Sequence, residues 1–94
     1  GYSITLRLKI ENWPGSFAKV VQHLAESKAS LAEVTLLSSD FNHTVREVTV
    51  SCKSEAHGQE VVRVLDALSN ATVLGYQDDT FSLHAGGKLV VHPK

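Results

Sequence analysis

The chain has 94 residues, with nine Lys and Arg against ten Asp and Glu, a formal net charge of −1 with His neutral. That length allows one domain, and the charge balance argues against a nucleic-acid partner, which needs a basic face to neutralise phosphates. Apolar residues make up 43% and charged residues 20%, a globular mix rather than a disordered one. No apolar run approaches the ~18–20 residues of a bilayer span, and no cationic start leads into an apolar stretch, so no membrane is expected as a partner. One cysteine, Cys52, cannot close an internal disulfide, which fits a reducing, cytoplasmic compartment. Methionine is absent, so the sequence reads as a processed product or a piece of a longer chain.

In residues 2–10, Tyr2, Ile4, Leu6, Leu8 and Ile10 alternate with polar residues, the period of a half-buried strand. Its polar side, with Arg7, Lys9 and Glu11, reads as a solvated sheet face. Pro14 and Gly15 break the pattern, and Pro14 suits the first turn of a helix. Phe17, Val20, Val21, Leu24 and Ala25 then recur at helical spacing, an amphipathic helix ending near Ser27 and Lys28. Residues 29–37 favour a strand, and residues 38–42 a turn. Residues 44–52 form a third strand, in which Arg46 and Glu47 are expected to pair across the sheet. Ser54 is a candidate N-cap for a second helix carrying Val61, Val62, Val64, Leu65 and Leu68. This helix closes at Ser69 and Asn70, with Asn70 suited to a left-handed terminus. Thr72, Val73, Leu74 and Tyr76 form a fourth strand, and residues 80–92 alternate again around Gly86 and Gly87.

The order β-α-β-β-α-β predicts an α+β, ferredoxin-like sandwich: a four-stranded antiparallel sheet, two helices on one face, and a C-terminal β extension. The second strand falls at a sheet edge. Two helices cannot bury Leu and Val on both sides of the strands, so the open face is expected to need a cover from a partner chain or neighbouring domain.

The segment Asn12-Trp13-Pro14-Gly15-Ser16-Phe17 joins a strand to a helix start. The first amides of a helix lack intrahelical partners and attract anions. Gly15 leaves the backbone open to close approach, and Asn12 offers a donor and acceptors. A plain turn needs the same residues, so both readings stand on spacing alone. Trp13 is expected exposed or half-exposed, shielding the turn or packing at an interface.

With its β-α-β-β-α-β frame, this motif resembles the ACT domain over roughly the first eighty residues. Residues 79–89, Asp79-Thr80-Phe81-Ser82-Leu83-His84-Ala85-Gly86-Gly87-Lys88-Leu89, are similar to the segment after the ACT domain in ACT-containing bacterial malic enzymes. The resemblance implies a regulatory domain, residues 1–79, that binds an amino acid or other carboxylate effector at Asn12, Trp13, Pro14, Gly15, Ser16, Phe17 and Lys28. Residues 80–94 would be a β extension and linker to a catalytic domain. That domain, not this chain, would use NAD(P) and a divalent metal to oxidise and decarboxylate malate. The implied assembly is a homo-oligomer, a dimer through sheet edge or helices. Lys28 departs from the family pattern, which has Gly there. A left-handed Lys costs about 1 kcal/mol relative to Gly, and its side chain would either obstruct an amino-acid pocket or supply a cation for an acidic effector. The alternative function is an assembly module that no longer binds an effector.

Other motifs carry less. Gly86-Gly87-Lys88 is no phosphate loop, because Ser82 and Leu89 stand where that loop requires Gly and Ser or Thr; a hairpin turn fits better. His23, His43, His57, His84, His92 and Cys52 show no close ligand spacing, so no metal site is expected. An acylphosphatase-like enzyme would need an Arg in the first loop, and an RNA-recognition domain would need aromatics on the third strand. Neither is present.

Overall fold

The computed structural model describes residues 1–78 and, for the backbone alone, residues 90–91. Its elements are β1 (Tyr2–Glu11), α1 (Ser16–Glu26), β2 (Ser30–Ser39), β3 (His43–Cys52), α2 (Glu55–Asp66), β4 (Ala71–Asp78) and β5 (Val90–Val91). The strands lie in the order β2-β3-β1-β4-β5, every neighbouring pair antiparallel. The first four strands and two helices make the ferredoxin-like arrangement the periodicities predict. The extension contributes β5, which pairs with Gly75 and Tyr76 of β4. The expected alternation of residues 80–92, the Gly86–Gly87 turn and the boundary after residue 79 lie, β5 apart, outside the described residues.

The alternation of β1 becomes the core. Ile4, Leu6, Leu8 and Ile10 are at most 2% exposed and pack with Val48, Val50 and Cys52 of β3, Val73 of β4, Val20 and Leu24 of α1, and Val61 and Leu65 of α2. Ser54 caps α2 as expected, its hydroxyl accepting from the His57 amide at 3.2 Å. Gly58 lets α2 approach β1, since a Cβ there would meet Tyr2 Cε1 at 3.0 Å. Tyr2 in turn donates its phenolic O–H to the Asp78 carboxylate. Burial and that carboxylate hold the phenol protonated well above its ordinary range.

The open face differs from expectation. Register places Thr5 opposite Thr49 and Arg7 opposite Glu47; the two hydroxyls lie 3.0 Å apart, and Arg7 Nη2 donates to Glu47 at 2.7 Å. With Ser3, Lys9, Glu11, Ser51 and Thr72 on the same side, this face is mainly polar and needs no apolar cover. The uncovered apolar groups lie instead on β2, where all ten residues are exposed. Register irregularities at Ala32 and Leu37 keep Leu31, Val34 and Leu36 opposite Val50, Val48 and Arg46, on the helix side of the sheet. They project beyond the two helices, and Leu36 is 54% exposed.

Two local expectations change. α2 ends at Asp66 with Ala67 as its C-cap, so Asn70 is not its terminus. Asn70 is not left-handed either: among the described residues, the non-Gly position with positive φ is Lys28. Pro14 lies in the turn before α1 rather than in its first helical turn.

Candidate functional site

The turn from β1 into α1 is built by Pro14 and Gly15. The Ser16 amide donates to the Trp13 carbonyl at 3.0 Å, and Gly15 has φ 84 and ψ −3. Pro followed by a positive-φ Gly under an i to i+3 bond has the character of a type II turn. Gly15 also occupies the N-cap position of α1 without any side-chain cap. A Cβ there would meet nothing within 4 Å, so the backbone is open to a ligand.

Ser16 is buried and engaged within the chain. Asn70 Nδ2 donates to its carbonyl at 3.0 Å and its hydroxyl at 2.8 Å. Ser16 therefore anchors the helix start. The next amides, of Phe17 and Ala18, have no partner among the described residues. The Ser16 amide is spent on the turn and the Lys19 amide on the Gly15 carbonyl, so the accessible donors are the two between them.

Asn12 ties this turn to the β2–β3 loop. Its Nδ2 donates to the Asp40 carbonyl at 2.8 Å, and its amide donates to the Asn42 carbonyl at 2.9 Å. The Asp40 carboxylate accepts from the Asn42 and His43 amides, both at 2.8 Å. Those two bonds hold its acid below the usual carboxylate range, the His43 amide contributing most. Trp13 is 44% exposed and donates its indole N–H to Glu11 at 2.9 Å. A recess of about 420 Å³ lies between Asn12, Trp13, Phe41 and His43. A second, of about 260 Å³, is lined by Asn12, Trp13, Gly15, Phe17 and Arg46.

Lys28 has φ 66, the left-handed backbone expected where the family pattern has Gly. It lies at the far end of α1, roughly 15 Å of helix from the turn at 1.5 Å per residue. One chain therefore does not bring Lys28 to residues 12–17. His57 braces this far corner. Its Nδ1 accepts from the Lys53 amide at 2.9 Å, which leaves Nε2 as the donor to the Ser27 carbonyl at 2.6 Å.

Arg46 is the residue that sequence reasoning missed. The expected cross-strand partner falls to Glu47, which takes Arg7. Arg46 shares the helix side of β3 with buried Thr44, Val48 and Val50, and its guanidinium sits 4.6 Å from the centre of the Phe17 ring. The available signal was a charge in phase with Val48, Val50 and Cys52. Among the described residues, no three His, Cys, Asp or Glu gather as a metal cluster, and no helix is long and apolar enough to cross a membrane.

No family model matches the chain. Over 92 residues, 98% of the chain, it is 27% identical to the NAD-dependent malic enzyme of Geobacillus stearothermophilus, of which the match covers 19%. It is 29% identical over 91 residues, 96% of the chain, to NAD-dependent malic enzyme 1 of Bacillus subtilis (strain 168), covering 21% of it. The chain thus spans about a fifth of the length of these curated relatives. Among solved structures, the regulatory subunit of aspartate kinase from Thermus thermophilus superposes with a TM-score of 0.60 over 83% of this chain and 51% of that one, at 20% identity. That likeness shows a shared fold. Together the findings support the resemblance to an ACT domain of malic enzyme-type proteins.

Proposed function

We propose that the chain is a regulatory domain that binds a small carboxylate effector, such as an amino acid, and controls an attached malic enzyme-like catalytic portion through oligomerisation, in the cytoplasm. The observation that carries this reading is the uncapped start of α1, where Gly15 leaves the backbone open and the Phe17 and Ala18 amides have no partner among the described residues. Asn12, Trp13, Pro14, Gly15 and Phe17 supply the walls, and Ser16 holds the helix start in place. Oxidative decarboxylation of malate, with NAD(P) and a divalent metal, belongs in this proposal to the remaining part of the enzyme.

The edge strand β2 supports a dimer. Unpaired backbone and exposed Leu31, Val34, Leu36 and Leu37 make it a template for a second copy. Antiparallel pairing of two β2 strands about a two-fold axis sets the two α1 helices antiparallel. The partner's Lys28 then approaches residues 12–17, which a single chain cannot arrange. An effector touching both chains favours that pairing, the differential affinity that allostery requires.

Sedimentation and thermal unfolding with added amino acids and dicarboxylates test this. We expect self-association at roughly tens of micromolar and a melting temperature that rises with effector concentration. A dimer indifferent to every ligand is the outcome for an assembly module, and a monomer indifferent to every ligand refutes the regulatory reading.

A further inference from the structure

We infer that Arg46 is the specificity-determining cation of the effector site, and that it selects an oxyanion with at least two acceptor oxygens, a dicarboxylate or a phosphate, over a net-neutral amino acid. The inference rests on the reading of residues 12–17 as an effector site and adds a residue and a ligand charge to it.

Four observations place Arg46 in this role. It stands on the helix side of β3, in phase with buried Val48 and Val50, where packing by itself favours an apolar residue. A charge kept against the local pattern is expected at functional positions. Its Nε is buried and has no hydrogen-bond partner among the described residues. No carboxylate there forms an ion pair with it, whereas Arg7, whose Nε is likewise unpartnered, has Glu47 at 2.7 Å. Finally, the guanidinium is held against the Phe17 ring at 4.6 Å and lines the same recess as Gly15, Phe17 and Ala18.

The stacked, planar fork is preorganised to meet two oxygens of one ligand. Glu11 also lines the recess, but one of its oxygens accepts from the Trp13 indole N–H. It disfavours a simple anion at that rim and leaves the Arg46 side as the place for negative charge.

The test is an NMR titration of the 94-residue chain with succinate, inorganic phosphate and valine at constant ionic strength, following Arg46 Nε–Hε and the Phe17 and Ala18 amides. Succinate or phosphate is expected to shift all three groups and saturate. Arg46→Gln is expected to weaken that binding at least tenfold. Arg46→Lys keeps a charge without the planar fork; it is expected to weaken binding at least threefold and carries the comparison should the Gln variant fail to fold. Anion binding unchanged in these variants, or shifts confined to other basic residues, overturns the inference. Valine shifting the Phe17 and Ala18 amides equally in wild type and Arg46→Gln overturns the anion preference alone. No shift with any of the three probes removes the effector site itself.

Discussion

Replacing Lys28 by Gly should stabilise the domain. At φ 66 a residue with a Cβ bears roughly 1–2 kcal/mol of left-handed strain. Glycine removes that strain but adds about 0.5–1 kcal/mol of chain freedom in the unfolded state. The Lys28 side chain is exposed and makes no hydrogen bond or ion pair among the described residues, so its removal forfeits no such contact. The net gain is about 0.5–1 kcal/mol. For a domain of this size, where 1 kcal/mol moves the midpoint by about 4–8 °C, that is roughly 2–8 °C. Thermal and urea unfolding followed by circular dichroism read it, with Lys28→Ala as the control that keeps the strain. Lys28→Gly no more stable than Lys28→Ala would falsify the strain argument. If the ammonium also serves a neighbouring chain's effector, Lys28→Gly should lower ligand affinity while raising stability, a trade expected where strain is held for function.

Gly15→Ala should cost about 1 kcal/mol by forcing a Cβ into the left-handed region, with no steric clash because the space is open; urea unfolding measures it. The same variant should weaken effector binding, read by calorimetry. Asn70→Ala removes both bonds to Ser16 and should cost about 1–3 kcal/mol, the range for polar groups left unpaired in the interior. Hydrogen exchange should then quicken first in α1; unchanged protection there would show that Asn70 does not hold the helix start. Asp40 titrates below its ordinary value of 3.8 when folded, so its contribution is present above the unfolded value and is lost as pH falls through the folded one. The Asn42 and His43 amide shifts should follow that midpoint below pH 3.8 and lose their dependence in Asp40→Asn.

Much of this molecule was legible in one dimension because neighbouring residues impose it. The strict alternation of β1 names its buried face, helical spacing orients α1 and α2, and Pro14 and Gly15 mark a turn. Each follows from sterics and burial within a few residues. Tertiary structure decided the rest, because the partners are far apart along the chain. Asn70 meets Ser16 across 54 positions, so nothing local distinguishes a buried strut from a helix terminus. β2 has no clean alternation and two register irregularities, so only its pairing with β3 reveals which of its apolar side chains overhang the helical layer. Arg46 and Glu47 are adjacent in sequence, yet the pleat sends them to opposite faces: one to an ion pair with Arg7, the other against Phe17 at the mouth of α1.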